Sequence, residues 1–163
     1  MAVKNRFSES HGILGLTVDG DWNAGFDSDS IDMSKYNHAC IIIVGNATLA
    51  GNGVLTLYGG ATAGAKTAAA TFSYRYAAAT IGSASSDVFG AAATSAALTS
   101  VGASITSAVM LIEFEAADLN ISGTQYRYAT LNVSAAGTAG ACNIVAIVSE
   151  PRYAEAIMDT AQA

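Results

Sequence analysis

Hydrophobic and polar residues alternate along much of the chain in short runs separated by Gly, Asn and Ser, a pattern typical of β-strands. Residues 72–76 alternate three aromatic side chains with a polar pair, and residues 109–115 alternate apolar side chains with Glu113 and Glu115. Alternate side chains of a strand point to opposite faces, so we expect the apolar sets to point inward and both glutamates outward. Both segments therefore predict half-buried strands.

Other segments predict strands in other environments. Residues 38–44 are apolar almost without interruption, which predicts a strand buried on both faces. The last long strand is predicted to end at Val148, because Pro151 cannot donate a hydrogen bond to a β-ladder. Further strands are predicted at 11–18, 31–33, 54–58 and 126–133, one helical turn at 116–119, and loops with short strands over 91–107.

These elements amount to about eight to ten short strands with no helices alternating between them. Two packed antiparallel sheets are the usual architecture for such a set, so we predict an all-β, antiparallel, jelly-roll-like β-sandwich. The sandwich is assigned to residues 11–154, a polar N-terminal arm to residues 1–10 and a C-terminal tail to residues 155–163. The length of 163 residues suits this single domain.

The composition changes this picture by pointing to an assembly. Only 12% of the residues are charged although 52% are hydrophobic, and the charged fraction is about half of that in typical soluble domains. A chain that omits surface charge is expected to cover much of its surface with other chains. Seven basic residues against thirteen acidic ones give a net charge of -6, which disfavours nucleic-acid binding and favours a place outside any DNA-filled particle.

The chain gives no sign of export or membrane insertion. The first ten residues lack the apolar segment of a signal peptide, and no apolar run approaches the ~20 residues of a membrane helix. We therefore expect synthesis in a cytoplasm and no membrane partner.

Two cysteines, Cys40 and Cys142, lie in apolar strand-like runs. We interpret them as buried reduced thiols that act as small hydrophobic residues. A disulfide would require neighbouring strands with suitable geometry, and the sequence leaves that alternative open.

Catalysis has little to work with in this chain. It contains two histidines, no Gly-x-Ser-x-Gly turn and no phosphate-binding glycine loop. Glu113 and Glu115 point the same way at roughly 7 Å, a separation that suits glycosidases, but outward glutamates are typical of any half-exposed strand. We expect no enzymatic activity and no cofactor.

The acidic loop that follows residue 18 is the best metal candidate. Asp19, Asp21 and Asn23 match the first three ligand positions of a calcium-binding loop. The match fails at Ala24, where glycine is needed, and at Ser30, where a bidentate glutamate belongs. A noncanonical calcium site and a solvated turn remain the two alternatives, and we predict the turn.

Five residues are predicted as partner contacts. Lys4, Arg6 and Phe7 lie in the N-terminal arm, whose ten residues could reach about 35 Å when extended. Trp22 and Phe26 are large apolar residues in a polar loop. They are either a lid folded back on the end of the sandwich or anchors for a partner.

Aromatic residues supply one further candidate surface. Phe72, Tyr74, Tyr76, Tyr126 and Tyr128 could form a sugar-binding platform. Such rows more often fill a core with their hydroxyls at the surface, and we favour that interpretation. A carbohydrate-binding or fibre-type domain is the alternative that exposed tyrosines would support.

Several segments resemble accessory capsid proteins of tailed bacteriophages, the decoration or cement proteins of the outer shell. The resemblance spans residues 30–154 and is carried by the segments Asp32-Met33-Ser34-Lys35-Tyr36, Glu113-Phe114-Glu115-Ala116, Tyr126-Arg127-Tyr128 and Pro151-Arg152-Tyr153. It implies a jelly-roll-like domain, often a homotrimer, that binds the major capsid protein at symmetry axes. We therefore expect a structural virion protein on the outer surface of the capsid, with a coat, neck or tail subunit as another structural possibility.

Overall fold

The computed structural model describes residues 7–99, 102–152 and 162, and these residues form an almost entirely β structure. The strands are β1 Gly12–Asp21, β2 Phe26–Asp27, β3 Ile31–Asp32, β4 Tyr36–Gly45, β5 Val54–Gly60, β6 Ala68–Ala70, β7 Phe72–Tyr76, β8 Ala93–Ser95, β9 Leu98–Thr99, β10 Val109–Glu115, β11 Asn120–Ile121, β12 Thr124–Gln125, β13 Tyr128–Val133 and β14 Ala141–Pro151. Single helical turns occur at α1 Phe7–Ser10, α2 Gly102–Ile105 and a 3-10 turn Ala116–Leu119.

Two antiparallel sheets pack face to face. Sheet A has the strand order β1-β14-β4-β10-β7-β8. Sheet B has the order β2-β13-β5-β6, with β3 also paired to β13 and β9 to β5. The first strand therefore pairs with the last, and the chain passes from one sheet to the other between them, as in a jelly roll. The predicted all-β sandwich is confirmed.

The core lies between the sheets and is built from the inward residues of alternating strands. In sheet A, β4 and β14 contribute residues such as Ile41, Ile43 and Ile144, and sheet B contributes Leu57 and Leu131, all at most 1% exposed. Burying one such side chain stabilises the fold by about 1.5–3 kcal/mol relative to leaving it in water. The inward aromatic and apolar sets predicted for residues 72–76 and 109–115 belong to this core.

Strand β4 is covered on one face only, which corrects the prediction that it is buried on both. Ala39, Ile41 and Ile43 are at most 1% exposed, whereas Ile42 and Val44 on the opposite face are only half-buried. In the described part of the chain no third layer packs on that face, so its side chains are shielded mainly by neighbours in the same sheet.

Strand β14 extends beyond the predicted end at Val148. Its pairing with β4 continues to Pro151, which lies opposite Tyr36. Proline is tolerated here because it occupies the last position of the strand, where its missing N–H interrupts no ladder.

The predicted terminal segments are described in part. Phe7–Ser10 forms the turn α1, which contacts β1 and β14, and residues 1–6 lie outside the described residues. Of the predicted tail, Gln162 is described, and its side-chain amide donates to Gly15 O at 2.9 Å and to Asp29 Oδ2 at 2.8 Å. No helix among the described residues is long and apolar enough to cross a membrane.

Candidate interaction surface

The outer face of sheet A, turned away from the core, is apolar across four neighbouring strands. Ile42 in β4 lies opposite Val145 of β14 on one side and opposite Leu111 of β10 on the other. Cross-strand partners such as these have Cβ atoms about 4.5–5.5 Å apart, so their side chains form a continuous row. We call this surface the apolar face; its residues are Ile13, Cys40, Ile42, Val44, Val109, Leu111, Val145 and Ile147.

Exposure on the apolar face rises toward the free edge of the sheet. Ile13 in the edge strand β1 is 63% exposed and pairs with Ile147, which is half-buried between β1 and β4. The interior residues are half-buried because neighbouring side chains on the same sheet shield them. The face therefore exposes one contiguous apolar patch rather than isolated hydrophobic residues, and contiguous patches mark interaction sites.

One end of the same face is acidic. Glu113, Glu115 and Asp118 line a shallow cleft of about 450 Å³ together with His38 and Arg75. The Arg75 Nε atom lies 4.0 Å from Glu113 Oε2, a loose pair in which both side chains are more than a third exposed. We call Glu113, Glu115 and Asp118 the acidic end. Three carboxylates face one guanidinium there, so this end of the face carries a net negative charge.

The outer face of sheet B is polar and internally bonded. Ser30 and Thr130 share a buried hydrogen bond of 2.7 Å between their hydroxyls. Asp27 accepts hydrogen bonds from Lys66 Nζ at 2.8 Å and from Asn132 Nδ2 at 2.6 Å. Burial acts to raise the pKa of Asp27, but the hydrogen bonds from Lys66 and Asn132 outweigh it and lower the pKa. The polar groups of this face are thus largely satisfied within the chain.

An ion pair locks the start of this polar face. Arg127 donates from Nε to Asp32 Oδ1 at 3.0 Å and from Nη2 to Asp32 Oδ2 at 2.6 Å, a bidentate arrangement. Ser34 adds bonds from its backbone N–H and its hydroxyl. Burial alone would raise the pKa of Asp32, but the hydrogen bonds from Arg127 and Ser34 lower it to about 2.

The predicted contact residues of the arm are not brought to one site. Lys4 and Arg6 lie outside the described residues. Phe7 is 52% exposed, and its ring stacks on His11 with centroids 4.2 Å apart. Since Ile13 follows His11 by two residues, Phe7 lies near the edge of sheet A where β1 begins.

The structure contradicts the prediction that Trp22 is a partner contact. Trp22 is fully buried and has no accessible surface to offer a partner, so the lid on the end of the sandwich describes its position. Phe26 packs over Gly20, where an added Cβ would come within 2.5 Å of the ring, but its side chain is only half-buried. Phe26 as a partner contact therefore stays a prediction.

The acidic loop forms a turn around Asp21. Asp21 Oδ1 accepts hydrogen bonds from the backbone N–H of Asn23 at 2.9 Å and of Ala24 at 3.4 Å. This is the turn geometry that aspartate side chains commonly stabilise. Within the described ranges, no three His, Cys, Asp or Glu side chains are grouped so as to hold a metal ion.

Both cysteines are free, and they lie on opposite faces of sheet A. Cys142 points into the core opposite Gly45, whereas Cys40 lies on the apolar face opposite Ile147. Burial, followed by the charge of Glu113, raises the pKa of Cys40 to about 11, and burial raises the pKa of Cys142 to about 12. A disulfide between them would need the two side chains on one face, so the alternative left open by the sequence is excluded.

The aromatic row is mainly core. Phe72 is 1% exposed, and the Tyr74 ring packs edge to face against Phe72 and against Tyr76. Burial, with a smaller contribution from Tyr74, raises the pKa of Tyr76 to about 12. Tyr128 lies outside this group, on the outer face of sheet B, with the Arg127 guanidinium 4.9 Å from its ring centroid.

Two features escaped the sequence analysis. The apolar face was hidden because a continuous apolar run predicts burial on both faces of β4 without saying what covers the second one. The Asp32–Arg127 pair spans 95 positions of sequence. In the sequence, the only local signal for this pair was the Asp32-Met33-Ser34 segment. An aspartate side chain commonly accepts a hydrogen bond from the backbone two residues later, so this segment indicates a turn.

No model of a known protein family matches this chain. No curated protein matches it either. A solved structure is similar, the crystal structure of SPBc2 prophage-derived protein YomS, with a TM-score of 0.50 and 11% sequence identity over 85% of this chain and 91% of that chain. At this identity the likeness shows a shared fold.

Proposed function

We propose that this chain is a structural virion protein, a decoration or cement protein that binds the outer surface of a phage head and bridges major capsid subunits. Its action is adhesion rather than catalysis, and it uses no cofactor. The observation that carries the proposal is the apolar face, a contiguous, partly exposed surface that the described residues leave without a covering layer on a sandwich of low charge.

Two further observations support a phage assembly. The similar solved structure is named as a prophage-derived protein, and its fold matches over most of both chains. Two of the segments that resemble decoration proteins adjoin the apolar face: residues 32–36 lead into β4, and residues 113–116 include the end of β10. The net charge of -6 suits a position outside a shell filled with DNA.

Adhesion at many identical sites does not require a strong single contact. A symmetric shell repeats each contact, and linked contacts add through avidity. We propose a homotrimer in which the N-terminal arm of each copy contacts an adjacent chain through Lys4, Arg6 and Phe7. Deleting residues 1–10 should abolish shell binding while leaving the chain folded, and unaltered binding would remove the arm from the mechanism.

The number of copies per virion tests the proposal directly. Quantitative mass spectrometry of purified virions should find hundreds of copies of this chain. A few copies would move the chain to a vertex, neck or fibre. Complete absence from the virion would overturn the proposal.

A sugar-binding function is the second candidate, favoured by one observation. Tyr58 and Tyr128 are half-buried diagonal neighbours on the outer face of sheet B, because Tyr128 pairs with Gly60, two residues after Tyr58. Binding on a glycan array that is lost in Tyr128→Ala but kept in Tyr74→Ala, whose ring packs against the core, would favour it. No glycan binding by the unaltered chain would reject it.

A further inference from the structure

The apolar face consists of strands that are apolar on both sides. Strand β4 alternates fully buried Ile41 and Ile43 with half-buried Ile42 and Val44. Strand β14 repeats the pattern, with Val145 and Ile147 on the outer side. Strands of this composition are normally covered on both faces, whereas a solvated sheet face carries polar residues. No element among the described residues supplies that cover on the outer side.

The dimensions of sheet A match one side of a protein interface. Strands β4 and β14 are 10 and 11 residues long, and the sheet has six strands. With about 4.8 Å between strands and 3.3 Å per residue, the four strands that carry the apolar face, β1, β14, β4 and β10, present roughly 600 Å². A specific interface of standard size buries about 600–1,000 Å² on each partner. The face therefore reaches the lower end of the size that supports a stable contact.

Charge decides which kind of partner fits. A partner on the apolar face also meets the acidic end, because Glu113 lies between Cys40 and Ser73 on the same outer surface and Leu111 lies opposite Arg75. Three carboxylates there face one loosely held guanidinium. A complementary surface therefore carries an apolar patch bordered by lysine or arginine.

A second copy of this chain is a poor match for that requirement. A second copy docked through the same face would present three further carboxylates and one guanidinium rather than a border of basic residues. Two of the described basic side chains are already engaged, Lys66 by Asp27 and Arg127 by Asp32. Contacts between copies are better placed at the other surfaces of the sandwich.

We infer that the apolar face and the acidic end together dock a different protein, through a surface that presents an apolar patch flanked by lysine or arginine. This inference rests on the proposed function, in which that protein is the coat protein of the shell. An arginine of the coat would lay its aliphatic stem along Leu111 and bring its guanidinium to Glu113. The apolar rows supply the contact area, and the acidic end fixes its orientation.

Two substitutions test the two halves of this surface on purified phage heads prepared without the chain. Val145→Thr keeps the shape and the strand preference of the residue but places a hydroxyl in the centre of the apolar face. We expect about tenfold weaker binding to heads. Glu113→Lys reverses one charge of the acidic end and should weaken binding more than about tenfold.

Matched controls separate the surface from general effects. Val54→Thr makes the same change at a half-buried strand position on the outer face of sheet B. Asp87→Lys makes the same change of charge in an exposed loop. Both controls should bind heads within about twofold of the unaltered chain, because neither touches the docking surface. Thermal melts of all four variants show whether each one is folded.

The outcomes distinguish failure of this inference from failure of the proposed function. If the unaltered chain does not bind heads, both are overturned. If it binds and Val145→Thr and Glu113→Lys bind equally well, the proposed function stands and the docking surface is wrong. Light scattering after size-exclusion chromatography adds the third outcome: if the two substitutions convert an oligomer to a monomer, the face joins copies of this chain and the inference fails.

Discussion

The two outer faces of the sandwich differ in how their side chains are bonded or covered. On sheet B, polar side chains bond to each other, and the loop containing Gly64 donates a backbone hydrogen bond to Ser30 Oγ at 2.8 Å. On sheet A, the apolar side chains of β4, β10 and β14 have only their strand neighbours for cover among the described residues, and the ion pair of Arg75 with Glu113 is 4.0 Å long. The outer face of sheet B is completed by the chain itself, whereas the outer face of sheet A is the surface for which we propose a partner.

The bonded polar groups on the outer face of sheet B stabilise the fold, whereas the exposed groups on the outer face of sheet A are available for function. Removing a satisfied, buried polar group costs stability, since its partner loses a hydrogen bond in a place that water reaches poorly. An exposed charge on the outer face of sheet A contributes little to the isolated chain, because solvent screens it. Substitutions of the same chemical kind on the two faces should therefore differ in their effects on folding.

The largest difference should appear between two carboxylate-to-amide substitutions. Asp32→Asn removes the buried charge that Arg127 and Ser34 bind, and we expect it to lower the free energy of unfolding at pH 7 by about 2 kcal/mol. Glu113→Gln removes the exposed charge near Arg75 and should change it by less than about 0.5 kcal/mol. Urea unfolding of both variants measures this. Equal losses would mean that the two faces do not differ in this way.

The ion pair of Asp32 with Arg127 should also make the stability of the unaltered chain depend on pH in the acid range. The pKa of Asp32 is lowered from 3.8 to about 2 in the folded protein. Its contribution to stability is therefore present above pH 4 and is lost as the pH falls through the folded value near 2. Unfolding free energies measured from pH 5 to pH 2 should fall less steeply in Asp32→Asn than in the unaltered chain. Parallel curves would show that Asp32 does not titrate with a lowered pKa.

A smaller effect should distinguish two threonines on the outer face of sheet B. Thr130 shares a buried hydrogen bond with Ser30, whereas the hydroxyl of the buried residue Thr56 makes no hydrogen bond with any described residue. Thr130→Val should cost about 1 kcal/mol, and Thr56→Val should change stability by less than about 0.5 kcal/mol. Thermal melts of this isosteric pair measure the difference. An equal loss in Thr56→Val would assign the effect to packing rather than to the hydrogen bond.

The sequence predicted the sandwich well because its signals were local. The alternation at residues 109–115 places Met110, Ile112 and Phe114 inward with no information from distant residues. The helical turn predicted at 116–119 also forms, as a 3-10 turn whose Asp118 accepts from the Glu115 N–H at 2.7 Å. The alternation of apolar and polar residues, and hydrogen bonds between residues close in sequence, can both be predicted from a single segment.

The exposed surface was less predictable from the sequence, because it depends on which strands and loops become neighbours in the fold. The continuous apolar run of β4 indicated burial on both sides, but only the strand order shows that no described element packs above its second face. The sequence left open whether Trp22 is a lid or an anchor for a partner, and the structure shows that its loop folds over the end of the core and buries the indole. Long-range pairs such as Ser30 with Thr130 carry no signal in the local pattern.

The last test asks directly which side of sheet A is open, using the two cysteines as reporters. Cys40 lies on the apolar face and Cys142 in the core, so an alkylating reagent should modify Cys40 in the native chain and reach Cys142 only after unfolding. Because the pKa of Cys40 is raised to about 11, its thiolate fraction at pH 8 is about a hundredfold below that of an ordinary thiol, and modification should be slow.

Mass spectrometry should therefore find one adduct per native chain, accumulating about ten times faster for each pH unit between 8 and 10. Two adducts at equal rates would mean that the inner face opens as readily as the outer one. Protection of both thiols in the native chain would mean that the apolar face is already covered. Since Cys40 sits between Ile147 and Glu113, a bound partner on the docking surface should slow its modification further and leave that of Cys142 unchanged.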